Sequence, residues 1–165
     1  MKFNQVVSAT KPDWSREKPR RFWDPGKKLI QSIRKYQKWK KKGFFGNIIS
    51  KYFVIVNRFW SFVCSSEIPI DTKIEGGLMF PHPIGIVIGG GCEIGPNCLI
   101  FQEVTITNKV QIGGHVDIGT GAKILNKVKI GNHVQIGANA VVLKDIPSNS
   151  TAVGVPAKII RKNNK

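Results

Sequence analysis

A six-residue repeat runs through the second half of the chain and restricts the folds that it can adopt. Four residues after each repeat position lies a second small or apolar side chain, from Ile74 to Ile146. A helix needs apolar recurrence near 3.6 residues and an ordinary strand a recurrence of 2, so a period of six predicts short strands and turns wound as a solenoid. The repeat positions, which predict one interior row without a slip, are Ile70, Gly76, His82, Ile88, Ile94, Ile100, Ile106, Ile112, Ile118, Ile124, Ile130, Ile136 and Val142. His82 is the titratable side chain in this row and the first candidate for function.

The charge of the chain is concentrated in its first part. Residues 1 to 66 hold 16 Lys and Arg against three acidic residues, so they carry +13 of the net +16. This asymmetry assigns any affinity for polyanions to the N-terminal segment and not to the solenoid. We therefore expect a basic helical segment at 1–66, a solenoid domain at 67–147 and a C-terminal tail at 148–165.

Two features predict a cytoplasmic protein with reduced thiols. The first thirty residues contain no apolar signal region, and the apolar stretch at 44–63 is interrupted by Lys51, Asn57 and Arg58, so it is too polar to span a membrane. The cysteines lack the spacing typical of a metal site, and two of them fall on an interior row. They predict buried thiols, with no disulfide and no metal.

Two helices are expected before the repeat. Three prolines punctuate an irregular stretch at 1–26, and an amphipathic helix with a basic outer face follows at 27–42. A second helix, from Ile48 to Val63, has an unusually wide apolar face. This face predicts packing on the neighbouring helix and over the open first turn of the solenoid. Docking on a membrane surface, helped by the basic residues, is the alternative.

The fourth position of each six-residue unit is typical of a tight corner, because Gly and Asn recur there and tolerate positive φ. His115 and His133 occupy this position 18 residues apart. If three units make one turn, the two rings stack one strand spacing apart, about 4.8 Å. A metal site is one interpretation, but histidine is itself enriched at positive φ, which favours a structural role.

The tract from Ile68 to Arg161 resembles the left-handed parallel β-helix of the hexapeptide-repeat acyltransferases. Within them it is most similar to the serine acetyltransferase branch, which includes many bacterial polysaccharide O-acetyltransferases. The strings that carry the resemblance are GGLMFPHPIGIVIG, LIFQEVTI, IGTGAKIL, IGANAVVLKDIP and AVGVPAKII. The resemblance implies a mainly β fold, acyl-CoA chemistry and a homotrimer with active sites between subunits.

The resemblance also assigns roles to three residues. In that family the histidine of the string matching PHPIGIVIG is the general base, which is His82 here. An acidic residue fifteen positions earlier orients the base, and Glu67 stands at that place. An acidic residue in an Asp-Pro pair before the helices contacts the acceptor, and Asp24 matches it. No covalent nucleophile is needed, because a positioned base and an oxyanion site suffice for direct transfer.

By the same resemblance, acetyl-CoA lies in the groove between two solenoids of the trimer. Asn108, Thr120 and Ala138 fall at the matching corners, and Lys158 and Arg161 fall where the nucleotide phosphates of the cofactor would lie. Cationic side chains suit phosphate recognition.

The chain departs from the serine acetyltransferases at the acceptor site. Pro81 replaces the aspartate that precedes the general base, and the Arg-His loop after the VTI string is absent. We therefore predict an O-acetyltransferase acting on a hydroxyl of a sugar or surface-polysaccharide precursor, anionic or lipid-linked, with the basic helices facing the glycan, the inner membrane surface or a neighbouring subunit.

Three other functions compete with this prediction. The first is serine O-acetylation in cysteine biosynthesis. The second is a non-enzymatic basic trimeric scaffold that binds membrane or nucleic acid, although we expect no nucleic-acid partner. The third is a metal hydratase of the carbonic-anhydrase type, against which the wide spacing of His115 and His133 argues.

Overall fold

The computed structural model describes residues 7 to 162, and it shows a β-solenoid of about four turns preceded by two helices. The helices are α1 (Pro25–Lys40) and α2 (Gly43–Val63), after a short 3₁₀ turn at Trp14–Glu17. The strands are β1 (Lys73–Ile74), β2 (Val87–Ile88), β3 (Glu93–Ile94), β4 (Leu99–Ile100), β5 (Thr105–Ile106), β6 (Gln111–Ile112), β7 (Asp117–Ile118), β8 (Lys123–Ile124), β9 (Lys129–Ile130), β10 (Gln135–Ile136), β11 (Val141–Val142), β12 (Ser150–Val153) and β13 (Lys158–Lys162).

The strands form three parallel sheets, which confirms that three six-residue units make one turn. We call them sheet A (β2, β5, β8, β11), sheet B (β1, β3, β6, β9) and sheet C (β4, β7, β10, β12, with β13 added antiparallel). In the regular turns each residue pairs with the residue 18 positions later, as Val87 does with Thr105. Within each two-residue strand the second side chain is buried and the first is more exposed.

The predicted interior rows are confirmed from Ile88 onward. Ile88, Ile100 and Ile118 are essentially inaccessible, and so are Cys98 and Val116 of the second row. Because each turn lays the same row on the previous one, the core is one continuous column of aliphatic side chains.

The expectation of a row without a slip was wrong at its beginning. Glu67 pairs with Val87 and Lys73 with Glu93, so the first turn has 20 residues and not 18. Ile68, Ile74 and Phe80 consequently occupy the row that continues into Ile88, while Ile70 is only partly buried and His82 is exposed. Apart from His82, both registers place small or apolar residues inside, so the repeat alone did not distinguish them.

The far end of the solenoid carries the opposite irregularity. Ile130 pairs with Ile146 and Gln135 with Thr151, so the last turn is two residues shorter than the regular ones. The segment expected as a tail from residue 148 extends sheet C through β12, and β13 then folds back along it. Buried Ser150 and Ala152 show that β12 belongs to the solenoid core.

The first turn is held to the N-terminal segment by a partly buried ion pair. The carboxylate of Glu17 contacts the Arg34 guanidinium at 2.8 Å and accepts the backbone N–H of Gly77 at 2.8 Å. Arg34 in turn donates to the carbonyl oxygens of Ile74 and Glu75. Charge-assisted bonds of this kind are stronger than neutral ones, so they fix α1 relative to the first turn.

The second helix differs from its prediction in the direction of its apolar face. It begins at Gly43, five residues before the predicted start, and its buried residues are Gly46, Ser50 and Asn57. Most of its large apolar side chains are exposed and do not pack over the first turn. Within residues 7 to 162, no helix has the length and hydropathy needed to cross a bilayer.

Candidate active site

The two extra residues of the first turn form a loop that presents His82. The loop spans residues 81 to 86, and prolines on both sides of His82 restrict its backbone. The carbonyl of His82 accepts the N–H of Ile84 at 2.9 Å, and Gly85 adopts a φ of +68° that favours glycine. The imidazole is exposed to solvent on a constrained backbone, which suits a group that must meet a substrate.

A buried serine, which the sequence analysis did not identify, anchors this loop from below. Ser66 is 7% exposed, and its hydroxyl accepts the N–H of Ile86 at 3.0 Å. The same hydroxyl lies 2.9 Å from the Pro83 carbonyl and 3.0 Å from the Cys64 carbonyl, to which it can donate. The sequence contains a signal for this loop. The six-residue row through Phe80 continues at residue 86, two residues before Ile88, so two extra residues must lie between Phe80 and Ile88.

Glu67 lies directly beside the loop. Its backbone N–H donates to Ile86 at 2.8 Å, and its carbonyl accepts from Ile88 at 2.8 Å. The Glu67 side chain is exposed, and among residues 7 to 162 no hydrogen bond joins its carboxylate to His82. The orienting role of Glu67 therefore stays a prediction.

Asp24 lines a pocket of about 320 Å³ next to the loop. The start of α1 approaches the loop closely, because a Cβ added at Gly26 would lie 2.9 Å from the Phe80 carbonyl oxygen. One acidic residue and two arginines are among the residues that line the pocket, which are Arg20, Arg21, Trp23, Asp24, Pro25, Gly26, Phe80, Pro81 and Pro83. Asp24 thus shares a pocket with both prolines that flank His82.

The His82 loop heads one long edge of the solenoid, between sheets C and A, which we call the His82 edge. Its later corners lie at residues 101–104, 119–122 and 137–140. Backbone hydrogen bonds join successive corners, from Gly121 N–H to the Gln102 carbonyl at 2.9 Å and from Asn139 N–H to the Thr120 carbonyl at 2.8 Å. The predicted cofactor residues Thr120 and Ala138 therefore lie on the edge that carries His82.

The other predicted cofactor residues do not lie at these corners. Asn108 is on the edge between sheets A and B, where its side-chain oxygen accepts the N–H of Gly90 at 2.8 Å. Lys158 is exposed and pairs with Val153 at the far end of the His82 edge. The backbone of Arg161 pairs with Thr151, and its side chain lies outside the described residues.

Gln102 is a second residue that the sequence analysis did not identify. It lies on the His82 edge, one corner below the loop. The Oε1 atom of Gln102 is buried and has no hydrogen-bond partner among the residues that the structure describes. A buried acceptor without a donor is costly, so a donor from a bound molecule would be favourable here.

The two other histidines form a separate pair on the edge between sheets B and C. As the repeat predicted, His115 and His133 stack at corners, with φ of 53° and 55°. Their Nδ1 atoms are 2.8 Å apart, a distance at which the N–H of one ring donates a hydrogen bond to the unprotonated nitrogen of the other. Among residues 7 to 162, no group of three or more His, Cys, Asp or Glu is arranged to hold a metal ion.

The fold and this edge define a class, the hexapeptide-repeat β-helix proteins. No family model matches the chain. Among curated proteins, the serine acetyltransferase of Bacillus pumilus is 39% identical over 134 residues, covering 76% of this chain and 58% of that protein. The serine acetyltransferase of Helicobacter pylori is 41% identical over 110 residues, covering 62% of this chain and 64% of that protein.

Solved structures agree with these relatives. A serine acetyltransferase in complex with CoA superimposes with a TM-score of 0.72 at 34% identity, covering 84% of this chain and 57% of that one. The serine acetyltransferase of Neisseria gonorrhoeae in complex with serine gives a TM-score of 0.70 at 30% identity, covering 84% and 58%. The chain belongs to the serine acetyltransferase family of hexapeptide-repeat β-helix acetyltransferases, as its resemblance predicted. It spans about three-fifths of the length of these relatives.

Proposed function

We propose that the chain is an acetyl-CoA-dependent O-acetyltransferase in which His82 is the general base. The observation that carries the proposal is the break in the repeat, which presents an exposed imidazole beside a pocket on an otherwise regular solenoid. Two relatives support it, because one is a complex with CoA and another a complex with serine.

The reaction needs one proton acceptor that later becomes a proton donor. As the acceptor hydroxyl attacks the thioester carbonyl, the neutral imidazole of His82 takes the hydroxyl proton. The tetrahedral intermediate collapses with cleavage of the C–S bond, and the imidazolium returns the proton to the leaving CoA thiolate. Backbone N–H groups at the corners would stabilise the oxyanion. Glu67, beside the loop, would orient the ring and stabilise its charged form.

The His82 edge suits the cofactor. Thr120 and Ala138 line it, Lys158 stands at its far end for the phosphates, and the unpartnered Gln102 oxygen could accept from an amide of the pantetheine arm. Arg161 is proposed beside Lys158. Asn108, on another edge of the same chain, would contribute from a neighbouring solenoid, which requires the homotrimer. Light scattering that shows a monomer at micromolar concentration would contradict the shared site.

The acceptor that the comparisons support better is L-serine, which was the alternative in the sequence analysis. An α-amino acid requires an anionic partner for its ammonium group and a cationic partner for its carboxylate. The pocket beside the loop supplies both, with Asp24 at the start of α1 and Arg20 and Arg21 just before it. These arginines come from a different part of the chain than the Arg-His loop that the sequence lacks.

A sugar hydroxyl is the second candidate. Two observations favour it, namely the uncharged Pro81 in the pocket wall and the regular run from β5 to β6 where the family's loop would be. Such an acceptor would be larger and anionic, and the cationic N-terminal segment would raise its encounter rate.

The deciding experiment measures thiol release from acetyl-CoA with L-serine and with a panel of neutral and anionic oligosaccharides. We expect turnover of L-serine with a KM in the millimolar range or below, reduced at least tenfold in Asp24→Asn. A higher kcat/KM for an oligosaccharide, falling with added salt, would replace serine by the glycan. No thiol release with any acceptor would contradict the enzyme and favour the basic scaffold.

A further inference from the structure

Helix α2 exposes a continuous apolar stripe. Its side chains recur at helical spacing along one side of the helix, and each is between 53% and 84% exposed. The apolar stripe consists of Phe44, Phe45, Ile48, Tyr52, Ile55, Phe59 and Phe62. A contiguous patch of this kind on a protein surface marks an interaction site.

The opposite side of α2 shows that the stripe is not needed for packing. That side buries Gly46, Ser50 and Asn57. The Asn57 amide donates to the hydroxyl of Ser32 on α1 at 2.9 Å, and a Cβ at Gly46 would collide with the backbone of Trp39. An ordinary surface helix buries its apolar side and exposes its polar side. Here half-buried Phe53 and Trp60 lie on the packing side as well, so α2 is apolar on both sides and the exposed stripe is available to a partner outside the described fold.

The charges around the stripe are of one sign. Residues 25 to 66 contain ten Lys and Arg and no Asp or Glu. Lys51 and Arg58 are exposed and border the stripe by helical spacing, each three or four positions from its members. Lys41 and Lys42 are exposed immediately before α2 begins.

We propose that the apolar stripe docks α2 in the plane of an anionic lipid bilayer. A bilayer surface offers what the stripe and its border require, namely an apolar layer beneath negatively charged headgroups. A second copy of the chain fits less well, because pairing two stripes would bring the cations of both copies together. Phe and Tyr side chains with Lys and Arg at the margin are typical of helices that lie in a membrane interface.

The stripe also leads towards the candidate active site. Trp60 contacts Phe59 of the stripe and Trp23, with ring centroids 5.1 and 5.5 Å apart. Trp23 lines the same pocket as Asp24. Docking would therefore hold that pocket close to the lipid surface. This last consequence rests on the proposed function, whereas docking itself does not.

Co-sedimentation with vesicles tests the proposal with the full chain. Vesicles of phosphatidylcholine with 30 mol% phosphatidylglycerol are compared with pure phosphatidylcholine at low and moderate salt. We expect binding to the anionic vesicles that is at least tenfold stronger than to the neutral ones. The double variant Ile55→Ser, Phe62→Ser should lose at least tenfold of it, and Lys41→Gln with Lys42→Gln should lose severalfold on anionic vesicles only.

A matched control removes exposed apolar surface elsewhere. Val155→Ser with Ile160→Ser alters side chains of similar exposure at the far end of the solenoid and should bind as the wild type does. Circular dichroism checks that every variant keeps its helices. Absence of binding to anionic vesicles would overturn the proposal. It would also be overturned if the stripe variant kept full vesicle binding but changed the oligomeric mass in light scattering, since the stripe would then be a contact between copies.

Discussion

The first turn of the solenoid and the turns that follow share one core but differ in what their corners do. The regular turns repeat every 18 residues, and their corners bond to each other through the backbone. The two extra residues of the first turn form the His82 loop. Ser66 hydrogen-bonds to this loop, and the start of α1 lies close to it. The regular turns therefore form the scaffold, and the irregular first turn positions the candidate catalytic histidine.

The helices follow the same division. Their specific contacts, from Glu17 to Gly77 and from Gly26 to the Phe80 region, are made with the first turn. The regular turns are covered less, apart from residues 8 to 13, which cross the corners at Asn97 and Gly114. A change in the His82 loop should thus alter activity, whereas a change in the regular turns away from the His82 edge should alter stability alone.

The largest expected effect distinguishes two histidines at corners of the solenoid, the exposed His82 and the half-buried His133. Because general-base catalysis contributes about 10²–10⁴-fold, His82→Asn should lower kcat by at least about a hundredfold in folded protein. His133→Asn is the matched control, since asparagine occupies equivalent corners at positive φ. It should keep kcat within about threefold. Steady-state thiol release measures both, and equal losses would contradict the division between the turns.

The register of the first turn gives the next largest effect. Ile74 is 7% exposed and lies in the core row, while Ile70 lies at its margin. Ile74→Ala should therefore lower the free energy of unfolding by about 2–4 kcal/mol, as buried Ile to Ala changes do, and Ile70→Ala by clearly less. Urea denaturation compares them. The reverse order would restore the register in which Ile70 begins the row.

These predictions indicate what the sequence could and could not provide. The rows from Ile88 to Val142 were predictable because a single period fixes every interior side chain. The slip before Ile88 was overlooked because Ile70 and Gly76 satisfied the wrong register as well, although the gap of two residues between the Phe80 row and Ile88 was present in the sequence. Ser66 and Gln102 were missed because their importance depends on hydrogen bonds between distant residues. The wide apolar face of α2 was predictable, but the choice between packing inward and facing outward was not, because periodicity identifies an apolar face but not its neighbour.

A smaller effect should distinguish two buried serines. Ser66→Ala removes the hydroxyl that bridges to the loop and leaves the Ile86 N–H without its partner, which costs about 1–3 kcal/mol of stability. It should also lower kcat, because the loop that carries His82 loses its anchor. Ser150→Ala, in the buried last turn, should affect stability only. An unchanged kcat in Ser66→Ala would show that the prolines alone hold the loop.

The smallest effect concerns the pH dependence of stability. Burial raises the pKa of Cys98 to about 12, above the ordinary value of a thiol. Above about pH 9 the unfolded chain loses this proton and the folded chain keeps it, so stability falls as pH rises, by about 1 kcal/mol between pH 9 and 10. Below pH 8 this thiol contributes no slope. Cys98→Ala should flatten the decline in urea midpoints measured from pH 8 to 10. An identical slope in variant and wild type would contradict the assignment.

The antiparallel strand β13 has a consequence for assembly. A stack of parallel turns ends in a row of unpaired backbone groups, onto which the first turn of another molecule could add, and repetition of that step would give a fibre. Here β13 pairs antiparallel with β12 and so covers the β12 side of that end. The pairing has a register shift between Thr151 and Ala152. Its sequence, KIIRK, places like charges at both ends of the strand. Helix α1 lies against the opposite end, where Arg34 and Gln37 bond to carbonyl oxygens of the first turn, so lengthwise growth is opposed at both ends.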